Sequence, residues 1–161
     1  MKLIVSEKPS VSRAISAILG ATQKKNGYLE GNGYLVSWCV GHLVELAPAA
    51  SYDESYAKWR KEDLPILPDP WQYKISEGTK QQFTILKQLM QDPRVESLIC
   101  ATDAGREGEL VARWIIQKAN CRKPMRRLWI SSQTDKAIKE GFASLKPSSQ
   151  YDNLYRSAQC R

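Results

Sequence analysis

Apolar positions along the chain fall into short runs of strand length and longer stretches with helical spacing. A run of strand length precedes a helical stretch three times along the chain. Residues 2–5 precede 11–19, residues 97–102 precede 110–115, and residues 127–130 precede 137–145. A further helical stretch covers 83–90. Because successive strand–helix units form parallel sheets with right-handed crossovers, this order predicts an α/β fold with a mainly parallel central sheet flanked by helices.

Between the first two strand–helix units the pattern changes. Residues 28–30 and 34–40 flank Gly31-Asn32, which predicts a β-hairpin. From 41 to 78 the periodicity fades, and prolines alternate with Trp59 and Trp71. Aromatic side chains need apolar partners, so we expect a long ordered excursion around 28–78 in which the tryptophans pack, and not a flexible linker.

Composition narrows the class of protein. With 161 residues, 42% of them hydrophobic and 25% charged, the chain is the size of one soluble domain with its own core. No apolar run approaches the ~20 residues that span a bilayer, so we expect no membrane association and a cytoplasmic location. The four cysteines are widely separated, which does not indicate a zinc ribbon or a disulfide framework.

The formal net charge of +7 is unevenly distributed. No carboxylate lies between Glu109 and Asp135, a window that holds six basic residues: Arg113, Lys118, Arg122, Lys123, Arg126 and Arg127. Such a block suits a polyanion whose backbone is held beside an acidic site. A solvated helix end and loop is the alternative interpretation, and composition alone does not decide between them.

The segment Ala101–Leu110, ATDAGREGEL, carries the strongest chemical signal. It places Asp103 and Glu107 where a strand ends and a helix begins, the edge at which open α/β sheets bind ligands. Carboxylates four residues apart across such a turn can converge on one Mg²⁺ ion. Acidic residues are also favoured at the positive end of a helix, so a purely structural role is the alternative.

Glu7 occupies the same kind of position as Asp103. It follows the first strand, and Pro9 suits the first turn of the helix that comes next. The adjacent Lys8 offers a positive charge for phosphate, although a surface ion pair with Glu7 is the simpler interpretation.

Several segments together resemble bacterial DNA topoisomerase III, a family of type IA topoisomerases. They are ATDAGREGEL, where the family has Asp-x-Asp-Arg-Glu-Gly, with SEKPS at 6–10, GHLVEL at 41–46, LPILP at 64–68 and LWISS at 128–132. The resemblance covers essentially all 161 residues. It implies a Rossmann-like Toprim domain over 1–150, and a helix at 151–161 that starts towards a further domain of a longer protein.

By that resemblance, the parent enzyme cleaves one DNA strand, holds the end on a tyrosine, passes another strand and reseals. Glu7 matches the acid beside the scissile phosphate, and Lys8 matches the neighbouring lysine that stabilises phosphate charge. Asp103 and Glu107 match the metal-binding acids, and we expect Glu7 to share the metal.

The implied DNA contacts are Lys8, Arg106 and Arg113. The nucleophilic tyrosine belongs to a later domain in this family, so we expect this stretch to be inactive by itself. Its expected partners are single-stranded DNA segments and the remaining domains of the same chain, and we expect a monomer.

The sequence departs from the family at Gly105, where the pattern has Asp. One Mg²⁺ ion is therefore expected in place of two, held more weakly than in a relative with Asp at this position. Two other functions stay open: a Toprim-type nuclease or primase that uses metal-activated water, and a non-catalytic nucleic-acid-binding module.

Overall fold

The computed structural model describes residues 1–160, which form two β-sheets and five α-helices. The strands are β1 (Lys2–Ser6), β2 (Gln23–Lys25), β3 (Tyr28–Gly31), β4 (Tyr34–Trp38), β5 (Val44–Leu46), β6 (Tyr73–Ile75), β7 (Ser97–Ala101), β8 (Met125–Arg127) and β9 (Lys146–Pro147). The helices are α1 (Pro9–Leu19), α2 (Lys80–Gln91), α3 (Arg106–Lys118), α4 (Asp135–Ala143) and α5 (Asp152–Gln159).

The main sheet has seven strands in the order β2-β3-β4-β1-β7-β8-β9. Its four central strands, β4, β1, β7 and β8, are parallel, and the outer pairs are antiparallel. The predicted α/β fold with a mainly parallel centre is thus confirmed. Ser6 at the end of β1 pairs with Ala101 at the end of β7, so the residues after both strands leave the sheet at the same edge.

Alternating side chains of the central strands serve two cores, as the period of a β-strand requires. Leu3 and Val5 lie in a cluster with buried residues of α2, α3 and α5. Ile4 lies in a second cluster, on the opposite face, with residues of α1 and α4. The sheet is therefore covered on both faces, which is why β1, β4 and β7 carry mostly apolar side chains.

The third predicted strand, at 127–130, is wrong in its position. The strand is Met125–Arg127, and it pairs with Leu98–Cys100 of β7. Since β7 ends at Ala101, residues 129 and 130 have no neighbouring strand to pair with. The hairpin around Gly31-Asn32 is confirmed, and it belongs to the main sheet because β4 pairs with β1.

The excursion after Gly41 is ordered by short 3₁₀ helices and by the small sheet of β5 and β6. The expectation that its tryptophans pack is wrong, because Trp59 is 86% exposed and Trp71 is 49% exposed. The predicted C-terminal helix is α5, which packs on α3 through the buried Ala158. Arg161, included in that prediction, lies outside the described residues.

Across residues 1–160, the structure contains no helix that is long and apolar enough to cross a membrane.

Candidate active site at the carboxyl ends of two parallel strands

Three of the predicted site residues meet at the edge where β1 and β7 end. A carboxylate oxygen of Glu7 accepts a hydrogen bond from the main-chain N–H of Asp103 at 3.0 Å. The Lys8 Nζ lies 3.6 Å from Asp103 Oδ2. The side chains of Lys8 and Asp103 are 61% and 53% exposed, so this cluster of two acids and one base is open to a ligand.

Buried serines hold the turn that carries Glu7 and Lys8. The Ser6 hydroxyl donates to the carbonyl oxygen of Lys8 at 2.9 Å. The Ser12 hydroxyl lies 2.7 Å from that of Ser6, and it donates to the carbonyl oxygen of Ser37 at 2.8 Å. Because buried hydroxyls need partners, these contacts tie β1, α1 and β4 together below the turn. Nothing in the sequence pattern distinguishes these serines from surface serines.

Arg106 and Glu107 form the first turn of α3, and both are exposed. Gly105 precedes the helix with φ 165° and ψ 178°, an extended conformation open to any residue. A Cβ placed on Gly105 would meet nothing within 4 Å. The fold therefore does not require the absence of a carboxylate side chain at position 105.

Gly108, in contrast to Gly105, has no room for a side chain. A Cβ on Gly108 would lie 2.0 Å from the carbonyl oxygen of Asp103, and the Thr102 hydroxyl donates to the Gly108 carbonyl at 2.8 Å. The main chain of Asp103 thus approaches the backbone of this glycine closely. Glycine at 108 lets the first turn of α3 rest directly on the Asp103 loop.

A buried ion pair lies beneath that loop. Arg127 and Glu109 are each 1% exposed, and Arg127 Nε donates to Glu109 Oε2 at 2.9 Å. The remaining guanidinium nitrogens donate to the carbonyl oxygens of Cys100 at 3.1 Å, Thr102 at 2.8 Å and Asp103 at 2.8 Å. Glu109 thus points away from the exposed carboxylates. From the sequence, Arg127 is only one member of the basic block, and its buried role was not predicted.

Arg113 links this pair to helix α5. Its Nε donates to Glu109 Oε1 at 2.8 Å, and its Nη2 lies 2.9 Å from Asp152 Oδ1 and donates to the Ser148 carbonyl at 2.8 Å. Burial is the largest single influence on the pKa of Arg113 and lowers it, but the hydrogen bonds and the negative charges of Glu109 and Asp152 together raise this pKa above its ordinary value. The guanidinium is occupied by protein acceptors, and the predicted DNA contact of Arg113 stays a prediction.

The basic block between 109 and 135 does not form one continuous cationic surface. Besides Arg113 and Arg127, Lys118 donates to the Tyr73 carbonyl at 2.7 Å and Lys123 donates to the Asp92 carbonyl. These side chains stabilise neighbouring elements, while Arg122 and Arg126 are exposed. Much of the charge excess in this window is therefore structural.

A groove of about 360 Å³ adjoins Asp103. It lies between the end of β7 and the loop after β8, and its polar lining includes Thr102, Ser131, Ser132 and Gln133. The side chains of Ser131, Ser132 and Gln133 offer hydrogen bonds to a polar ligand that reaches the Asp103 carboxylate.

The donor set suits a hard cation. Glu7, Asp103 and Glu107 offer oxygen ligands, whereas Cys39 and Cys100 are buried. Within residues 1–160, no group of three or more His, Cys, Asp or Glu is arranged to hold a metal by itself. Mg²⁺ typically takes one or two carboxylates and completes its shell with waters and substrate phosphates, so the residues fit an ion shared with a phosphate ligand. The three-ligand set stays a prediction.

The family model for the Toprim domain matches residues 2–133. Over 159 residues the chain is 55% identical to the DNA topoisomerase 3 of Bacillus thuringiensis strain Al Hakam, and 52% identical to that of Bacillus subtilis strain 168. Both alignments cover 99% of this chain and 22% of the relative, so the chain spans about a fifth of the length of these proteins.

The fold is also similar to a solved structure, the full-length topoisomerase I of Thermotoga maritima. The TM-score is 0.67 at 24% sequence identity, and the match covers 99% of this chain and 23% of that one. The comparisons do not favour the alternative of a nuclease or a primase.

Proposed function

The chain belongs to the Toprim domain family, and on that basis we propose that it is the metal- and phosphate-handling domain of a type IA DNA topoisomerase. The observation that carries the proposal is the meeting of Glu7, Lys8 and Asp103 where β1 and β7 end. An acid, a base and a candidate metal ligand are held there just after the ends of two neighbouring parallel strands, at the edge where α/β sheets bind ligands.

Glu7 is the proposed general acid and base. During cleavage the hydroxyl oxygen of a tyrosine from another domain attacks the phosphorus and gives up its proton to water, and the bond from phosphorus to the 3′ oxygen breaks. The Glu7 carboxyl delivers a proton to that leaving oxygen and takes it back when the strand is resealed. Lys8 offsets the negative charge that builds on the phosphate oxygens.

Asp103 and Glu107 are the proposed ligands of Mg²⁺, with Glu7 as a shared ligand. When bound, the ion supplies positive charge to the phosphate oxygens. We propose one ion and not two, because Gly105 supplies no carboxylate. Lys8 already pairs with Asp103 at 3.6 Å, and phosphate would draw the lysine away from that carboxylate.

Single-stranded DNA is the proposed partner, together with further domains of a longer chain. Arg106 is the proposed second backbone contact, because its exposed side chain stands at the start of α3 between the two proposed metal ligands. Guanidinium groups bind phosphate as a fork of donors. The monomeric state and the cytoplasmic location remain predictions.

Thermal unfolding in the presence of Mg²⁺ tests the metal site. At a Mg²⁺ concentration about 100 times the dissociation constant, binding stabilises the folded chain by about 2.7 kcal/mol. We expect Asp103→Asn and Glu107→Gln to lose most of this stabilisation. Glu140→Gln, an exposed position in α4, is the matched control and should respond to Mg²⁺ as the unchanged chain does. Equal stabilisation in all four proteins, or none in any, would overturn the metal site.

The phosphate role of Lys8 has its own test. Binding of a fluorescent single-stranded oligonucleotide is followed by anisotropy at several salt concentrations. Lys8→Gln should weaken binding whatever the base sequence and lower the slope of log affinity against log salt by about one. Lys139→Gln, an exposed lysine of α4, is the control. An unchanged slope in Lys8→Gln would exclude the phosphate contact.

A further inference from the structure

We propose that Arg127 and Glu109 are positioning residues, which set the main chain of the Asp103 loop for metal and phosphate binding. This inference rests on the proposed function of that loop. Neither side chain is exposed to a ligand, since each is 1% accessible, so both act through the residues they hold.

The main argument is that one peptide unit is held from two directions. The carbonyl oxygen of Thr102 and the N–H of Asp103 belong to the same planar peptide, and they point to opposite sides of it. Arg127 Nη1 donates to that carbonyl at 2.8 Å, and Glu7 accepts from that N–H at 3.0 Å. Rotation of this peptide would break both contacts at once. Arg127 therefore determines whether the N–H of Asp103 can face Glu7.

Arg127 also holds two further peptides, one earlier in the chain than this one and one directly after it. Its donations to the carbonyl oxygens of Cys100 and Asp103 extend the contact from the end of strand β7 into the loop. A guanidinium is rigid and planar, so acceptors bound to it are fixed relative to one another. The loop thereby gains a fixed shape at a place where its side chains face solvent.

Glu109 fixes the orientation of that guanidinium. One of its oxygens accepts from Arg127 at 2.9 Å, and the other accepts from Arg113 at 2.8 Å. Both carboxylate oxygens are thus in use, and Arg113 is itself anchored to Asp152 and to the Ser148 carbonyl. The loop position depends in this way on contacts that reach helix α5.

If Arg127 and Glu109 contributed stability alone, replacing both residues would leave the Asp103 loop unchanged. Replacing a buried ion pair by apolar residues often preserves stability, whereas removing one partner leaves a buried charge unpaired. The double variant Glu109→Met with Arg127→Met should therefore fold, while the carbonyl oxygens of the loop lose their donors. Arg127→Met by itself should be less stable than the double variant.

The experiment measures two properties of the double variant. Hydrogen–deuterium exchange of residues 101–105 is followed in the metal-free protein, and Mg²⁺ affinity is measured by thermal unfolding. Partners that orient metal ligands typically contribute about 10- to 100-fold to metal affinity, and we expect a loss of that size. Exchange in the loop should accelerate by about tenfold or more, with protection in β1 unchanged. Arg126→Met, the exposed neighbour on the same strand, is the control for both measurements.

Normal loop protection together with normal Mg²⁺ affinity in the folded double variant would overturn the inference, because the pair would then contribute stability alone. If the unchanged chain binds no Mg²⁺, the proposed function fails, and loop exchange in the metal-free proteins still decides the positioning role. Unchanged exchange in that case would reject the positioning role as well.

Discussion

The Glu7 carboxylate and the Asp103 main-chain N–H, 96 positions apart in sequence, are joined by a hydrogen bond of 3.0 Å. The bond closes the gap between the ends of two neighbouring parallel strands. Glu7 is thus both a candidate catalytic acid and a structural support for the loop that carries a candidate metal ligand. The two roles can be separated by substitution.

Glu7→Gln should preserve the loop, because the amide oxygen still accepts from the Asp103 N–H, whereas Glu7→Ala removes the acceptor. We expect Glu7→Ala to accelerate hydrogen exchange at Asp103 and to lower the free energy of unfolding by about 0.5–1.5 kcal/mol. Glu7→Gln should keep slow exchange there, although neither variant can transfer a proton in cleavage. Fast exchange at Asp103 in both variants would mean that the negative charge, and not the acceptor, holds the loop.

Gly105→Asp should strengthen metal binding without disturbing the fold. The backbone at 105 is extended, and a Cβ has open space around it. Gly105→Asn is the matched control, because Asn caps the start of α3 as well as Asp does but adds no charge. Isothermal titration should show Mg²⁺ affinity about tenfold higher in Gly105→Asp than in Gly105→Asn. Equal affinities would show that position 105 does not face the ion.

Gly108→Ala should destabilise the chain although alanine is the better helix former by about 1 kcal/mol. The new Cβ would lie 2.0 Å from the Asp103 carbonyl oxygen, and main-chain atoms of a held loop cannot move aside cheaply. We expect a net loss of about 1–3 kcal/mol in chemical denaturation, together with weaker Mg²⁺ binding.

Gly78→Ala is the control for that substitution, since a Cβ there meets nothing within 4 Å. A Gly108→Ala protein as stable as the Gly78→Ala protein would show that the loop yields to the methyl group.

The two buried thiols should make the chain less stable in alkali. Burial raises the pKa of Cys100 to about 12 and raises that of Cys39 further. In the unfolded chain thiols ionise near pH 8.5. The contribution of the two buried thiols to the free energy of unfolding is therefore complete below about pH 8.5. It falls as the pH rises above that point, by about 1 kcal/mol for each thiol and each pH unit. Denaturation at pH 7.5 and 9.5 measures the loss, which should be smaller in Cys100→Ala.

Thiol labelling gives an independent check of the same burial. At pH 8 the exposed Cys160 should react first and the partly exposed Cys121 more slowly. Cys39 and Cys100 should react at the rate of unfolding. Fast labelling of Cys100 in the folded chain would contradict the burial on which the alkaline prediction depends.

The sequence predicts those features that depend on local pattern. The strand and helix around Glu7, and the strand before Asp103, follow from apolar periodicity, and the parallel pairing of β1 and β7 then brings the two acids together. Arg127 and Glu109 could not be found in this way, because a single charged residue in sequence resembles a surface charge. Only the tertiary fold shows that each is the partner of the other. The exposure of Trp59 was missed for the same reason, since burial depends on what the chain places nearby.

The contacts that shape the Asp103 loop are made almost entirely to its main chain. Glu7 binds an N–H, Arg127 binds carbonyl oxygens, and Gly108 leaves room for backbone atoms. The shape of the loop consequently depends little on the side chains it displays at Asp103, Ala104 and Gly105. New ligand chemistries can therefore be installed at these positions one residue at a time, by nature or by design, on a framework that does not need to be repacked.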